Sequence, residues 1–139
     1  MDIGHWESTV PFVSAYGFIY LITNIVSNKK YVGKKQMQTV KKLKPLKGKK
    51  NKRHFVIETD WKEYMSSSND LLDDIKNLGK ENFKFEILRF CDSKSELAYY
   101  EAKEQFDREV LMSDEYYNGI INLRIGKIKK KSLNSGVDN

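Results

Sequence analysis

The sequence predicts an α+β domain in which helices cover a small central antiparallel β-sheet. Three observations carry this. The run Gly17 to Thr23 (Gly-Phe-Ile-Tyr-Leu-Ile-Thr) is β-branched and aromatic and apolar on both faces, as suits a strand buried on both sides. Residues 83 to 90 alternate in the two-residue period of a strand. Two further segments, opening near Ser68 and at Ser93, place apolar residues at helical spacing behind capping residues.

In chain order, residues 1 to 15 carry His5, Trp6, Pro11 and Phe12 without a period and read as an irregular arm packed against the body. The strand from Gly17 leads through Asn24 and Ser27-Asn28, which supply turn chemistry, into Lys30-Tyr31-Val32-Gly33, so the pair forms a hairpin. A lysine-rich insert occupies about 36 to 57. Ser68 or Asn69 caps a helix carrying Leu71, Leu72, Ile75 and Leu78, and Gly79 closes it. The next strand presents Phe83, Phe85 and Ile87 on one face and Lys84, Glu86 and Leu88 on the other. Ser93-Lys-Ser-Glu96 has the form of a capping box. It opens a helix running to about Met112, with Tyr99, Ala102, Phe106 and Val110 as its core-facing stripe. Tyr116 to Gly119 reads as a turn, Ile120 to Ile125 as a short strand, and residues 127 to 139 as a basic then polar tail.

At 139 residues the chain holds one domain, assigned to 16–126. A single cysteine, Cys91, permits no internal disulfide, and no apolar run approaches 18 residues, which places the protein in a reducing cytoplasm. The charge is unevenly laid out. Residues 29 to 53 hold twelve lysines and arginines and no acid, so with a net charge of +6 the remainder stands at −6. A basic block on an acidic body faces a polyanion, and nucleic acid is the first candidate. No apolar stripe accompanies the block, which argues against a membrane surface. Two histidines, at 5 and 54, and one cysteine cannot build a Cys/His zinc site, and no GxxxxGK[ST] phosphate loop or hydrolytic triad is present. What remains is a tyrosine-glycine hairpin, a basic block and a helix bearing carboxylates. Those parts suit phosphodiester cleavage, which needs an activated water, positive charge on the phosphate and a carboxylate for a hard cation.

Gly17-Phe18-Ile19-Tyr20 and, after a spacer of ten residues, Tyr31-Val32-Gly33 resemble the paired motifs of the GIY-YIG nucleases, with Phe18 added inside the first. Tyr64 to Ser68, Gly79 to Phe83, Tyr100-Glu101-Ala102 and Tyr117-Asn118 follow in the family's order, and the likeness extends to phage-encoded small and homing-type endonucleases. The resemblance covers about residues 16 to 126. It implies a sheet of three main strands, one divalent metal, Mg²⁺ or Mn²⁺, and products with a 5′-phosphate and a 3′-hydroxyl. It further implies double-stranded DNA as partner and action in the cytoplasm of a bacterial host.

Carried onto this chain, the resemblance makes Tyr20 the group that activates or orients water. A phenol is a poor base at neutral pH, so nearby cations, Lys34 and Lys35, are expected to favour its phenolate. Tyr31 would touch phosphate or water, and Gly33 would let DNA or a helix approach the backbone. Glu101 is the expected metal ligand, with Glu104 one helical turn on as its competitor. Asn118 would support the site by hydrogen bonding. The family arginine has no counterpart, since position 41 is lysine; Lys35, Lys41, Lys42 and Arg53 are the candidates for that cation, and His54 for an accessory histidine. The expected function is a metal-dependent DNA endonuclease, the alternative a non-catalytic nucleic-acid-binding protein on the same fold. No helix-turn-helix or zinc finger is attached, so specificity would come from loops, DNA shape or homo-oligomerisation.

Overall fold

The computed structural model describes residues 2–12 and 15–128. Its centre is β2 (Gly17–Asn24), antiparallel to β3 (Lys30–Gln36) on one side and to β6 (Phe83–Cys91) on the other. The expected hairpin and third strand are thus both present. β1 (Glu7–Ser8) adds two residues parallel to β6, making a four-stranded mixed sheet in the order β1-β6-β2-β3. The apolar character of both faces of β2 is explained directly. Phe18, Tyr20 and Ile22 enter one core with Trp6, Trp61, Leu71, Ile75 and Phe85, while Ile19 and Leu21 enter a second with Val32, Leu97 and Val110. Each such fully buried side chain contributes roughly 1.5–3 kcal/mol relative to exposure.

The first core is roofed by α1 (Asn69–Leu78) and the second by α2 (Lys94–Asp107). Both caps are as expected: Ser68 accepts from the Leu71 amide and Gly79 ends α1 at φ +94°, and Ser93 accepts from the Glu96 amide. The pairing of β2 with β6 slips between Ile19 and Tyr20, leaving Leu88 as the extra residue of a bulge. The slip lets Ile87 and Phe90 both face the first core while Leu88 and Cys91 face the second.

The structure corrects several expectations. The arm is not merely laid on the body: Trp6 is 3% exposed, and its indole N–H donates to the Trp61 carbonyl at 2.6 Å. The lysine-rich insert, given no secondary structure above, forms a ribbon of β4 (Gln38–Leu43) and β5 (Arg53–Glu58). α2 stops at Asp107, because Glu109 adopts a left-handed conformation (φ +53°) before a single 3₁₀ turn at Val110–Met112. Its expected stripe holds only in part, since Ala102 and Val110 are buried but Tyr99 and Phe106 are exposed, and Leu97 and Gln105 are buried in their stead. Residues 120–125 form no strand, and most of the expected C-terminal tail, 129–139, lies outside the described residues. No helix among the described residues is long and apolar enough to cross a membrane.

Candidate active site

β3 is the edge strand, and the site is built over that edge. Because strand side chains alternate, Tyr31 and Gly33 share the face of Tyr20 while Val32 and Lys34 share the face under α2. Tyr31, Lys34 and Glu101 meet around one cavity of about 400 Å³, completed by Ser67, Gln105, Tyr117 and Asn118. Glu101 is the only acid among its described lining residues, and its carboxylate lies 3.7 Å from Lys34 Nζ. Burial raises the Glu101 carboxyl above the usual carboxylate range, against the lowering pull of Lys34.

The C-terminal segment straps this edge. Lys30 N–H donates to the Glu115 carbonyl at 2.8 Å, and the Tyr117 amide donates to the Lys30 carbonyl at 2.7 Å. One step along, Asn118 Oδ1 accepts from the Val32 amide at 3.0 Å and Nδ2 donates to the Val32 carbonyl at 2.8 Å, so a side chain replaces the next strand. Gln105 Nε2 donates to that same carbonyl at 3.1 Å. Tyr117 fastens the strap, donating to Asp74 Oδ2 at 2.6 Å and accepting from Asn24 Nδ2 at 3.0 Å. Asn24 in turn caps the hairpin turn through the Val26 and Ser27 amides.

Tyr20 is 1% exposed, its ring 6.1 Å from that of Tyr31 and 6.2 Å from that of Tyr64. The expected phenolate is not favoured. Burial, reinforced by the neighbouring Tyr31 and Tyr64, raises the Tyr20 phenol well above 10, outweighing its hydrogen bond with Ser66. Burial raises Tyr31 as well, opposed by a hydrogen bond with Ser67. At Gly33 a side chain would collide with the Tyr20 phenol, so the glycine makes room for Tyr20.

The other expected cations lie elsewhere. Lys35 pairs with Asp60 at 2.8 Å and sits 4.1 Å over the Tyr64 ring. Lys41, Lys42, Arg53 and His54 are on the exposed ribbon, and Arg53 donates to the Lys44 carbonyl at 3.3 Å. The lysine at the cavity is Lys34. Glu104 accepts from Arg108 at 2.9 Å and does not line the cavity, leaving Glu101 as the available carboxylate. No group of three or more His, Cys, Asp or Glu side chains converges among the described residues. A transition-metal cage therefore does not fit, whereas one carboxylate in a polar cavity suits a magnesium-like ion that keeps most of its waters. Sequence reasoning assigned no role to Gln105 or Ser67. The signal for Gln105 was a polar residue four positions after Glu101, on the same helical face.

The ordered tyrosines, glycine, glutamate and asparagine now stand in one place, and a family model described as "Putative endonuclease segE, GIY-YIG domain" matches residues 6–121. The chain belongs to the GIY-YIG endonuclease family. No curated protein and no solved structure matches it. The GIY-YIG match begins at Trp6, within the arm that the fold draws into the core. A nuclease domain implies a nucleic-acid substrate, and the basic block fits one.

Proposed function

We propose that this GIY-YIG chain is a metal-dependent endonuclease that hydrolyses phosphodiester bonds of double-stranded DNA, leaving a 5′-phosphate and a 3′-hydroxyl. The observation that carries the reading is the meeting of Tyr31, Lys34 and Glu101 around one polar cavity at the sheet edge. Lys34 binds the scissile phosphate as a point charge, taking the part expected of the family arginine without its planar fork. Tyr31 and Tyr20 stay protonated at neutral pH, so they act as hydrogen-bonding groups. Tyr31 holds the attacking water or a phosphate oxygen, and buried Tyr20 keeps Tyr31 in place. Asn118 and Gln105 act through the backbone of Val32, fixing the edge strand on which Tyr31 and Lys34 stand. Glu101 would hold Mg²⁺ or Mn²⁺, with waters and phosphate oxygens filling the remaining positions. The chemistry that ion supplies when bound is positive charge against the pentavalent phosphate and the departing oxygen.

A plasmid-nicking assay tests the reading. Wild type should nick in Mg²⁺ and not in EDTA, and Glu101→Ala should lower the rate by about a hundredfold or more. End-labelling of the nick should show the 5′-phosphate. Folded wild type that cuts no DNA with any of several divalent metals would sink the proposal.

A further inference from the structure

The β4–β5 ribbon belongs to neither core. Eleven of its twelve strand residues are exposed. It is nonetheless firmly rooted: the Met37 amide donates to the Tyr16 carbonyl at 2.8 Å, the Thr59 amide to the Met37 carbonyl at 3.0 Å, and Thr59 Oγ1 to the Gln36 carbonyl at 2.7 Å. Only Met37 separates it from β3, so the strand carrying Tyr31 and Lys34 runs on into the ribbon.

The register sorts its side chains. Lys41 stands opposite Phe55 and Leu43 opposite Arg53 on one face; Val40 stands opposite Val56 and Lys42 opposite His54 on the other. Each face therefore mixes cations with apolar groups. Val40, Phe55, Val56 and Ile57 are 41–67% exposed, a strand-wise set with no partner in either core. The tip adds Lys44, Lys47, Lys49, Lys50 and Lys52, turned by a Leu46 to Lys49 hydrogen bond with Gly48 at φ +82°. No acid occurs before Glu58 at the root.

We infer that this ribbon enters the major groove of the duplex that the site cuts. The inference deepens the proposed function and rests on it for the substrate. The charge selects a polyanion. A ribbon that only tracked phosphates would need cations alone, whereas exposed valines and a phenylalanine match the thymine methyl group, which is displayed only in the major groove. That groove admits a two-stranded β-ribbon. From Lys34 to Val40 is six residues, at most about 20 Å, which puts the bases read within about six base pairs of the cut. Sequence preference is thereby built into the nuclease domain itself.

The test uses the 139-residue chain in EDTA and two duplexes of one sequence, one with thymine and one with deoxyuridine throughout. Wild type should bind the thymine duplex about threefold or more tightly, and Val40→Ser/Val56→Ser should abolish that preference. Lys41→Ala/Lys42→Ala should reduce the slope of log K against log salt by about two. Both valines are solvent-exposed, and an unchanged melting temperature checks that the variant remains folded. Equal wild-type affinity for the two duplexes overturns the inference. So does a valine variant that keeps the thymine preference, or one that changes only the sedimentation of the free protein, which would make the ribbon a protein contact. Plasmid left uncut in Mg²⁺ with the thymine preference intact overturns the nuclease reading and leaves the ribbon's role standing.

Discussion

The Tyr20 phenol lies across Gly33, occupying the space where a side chain at that position would stand. The two residues are direct partners across the β2–β3 ladder, so the first motif's tyrosine and the second motif's glycine form one packing unit. Gly33→Ala should therefore cost about 1–3 kcal/mol by overpacking and turn Tyr20 away from Tyr31. Urea melts should show the loss. The variant should also nick DNA more slowly at temperatures where it is still folded, and a Gly33→Ala protein as stable and active as wild type would separate the two residues.

Asn118→Ala removes both hydrogen bonds to Val32 and leaves its amide, on a residue with no exposed surface, without an acceptor. The expected cost is about 1–3 kcal/mol. Because Gln105 still donates to the carbonyl, the damage should concentrate at the amide. Hydrogen exchange at Val32 should rise by far more than at Leu21, whose place in the central strand does not depend on Asn118. Equal acceleration at both positions would mean general destabilisation instead.

The pH profile of cleavage should be set by Glu101 and not by a tyrosine. Its carboxyl titrates above 4.5, so activity should be absent where it is protonated, rise as pH passes its raised pKa, and then stay level towards pH 9. Both phenols titrate above 10, hence no phenol ionisation falls within that range. An inflection near pH 8 that disappears in Tyr20→Phe would restore the phenolate mechanism.

His5 should make the fold acid-sensitive. Its Nε2 lies 3.0 Å from the Tyr64 carbonyl and so carries the proton, Nδ1 is buried without a hydrogen-bond partner among the described residues, and the ring stacks on Phe85 at 4.1 Å. Burial, with Lys80 nearby, pushes its pKa down to about 4. An unfolded histidine binds its proton near 6.5, so between about 6.5 and 4 the unfolded state takes up the proton and the folded state does not. Stability is thus present above 6.5 and drains away as pH falls to about 4, by about 3 kcal/mol at most. Melting temperatures of wild type and His5→Phe should diverge over that window, and parallel curves would remove His5 as the cause.

The parts of the fold that follow from local chemistry were legible in the sequence. Ser68, Gly79 and Ser93 mark helix ends through their own backbone contacts, and the alternation at Phe83 to Ile87 needs no partner to be read. Trp6 was not legible, because an irregular arm gives no period and only the Trp61 carbonyl shows where the indole belongs. The face of α2 was read correctly at Ala102 and Val110 but not at Tyr99 and Phe106, for a different reason. Glu101 and Gln105 take positions that a helix built only for packing would give to Leu or Val, so hydrophobicity pointed to Tyr99 and Phe106 instead. Within the site, motif order led to Tyr31, Glu101 and Asn118. Lys35 and Lys34 are adjacent in sequence, and only strand alternation on the folded sheet sends one to Asp60 and the other to the cavity.

The strap also sets an order in time. Synthesis runs from the N-terminus, so the ribbon, both motifs and Glu101 are all made, and reach the folding chain, before Glu115 to Asn118 do. Until then the edge of β3 lacks the groups that satisfy Lys30 and Val32, and the cavity lacks one wall. Most of the domain can thus be synthesised in an incomplete form, and its final working geometry arrives with a single late asparagine.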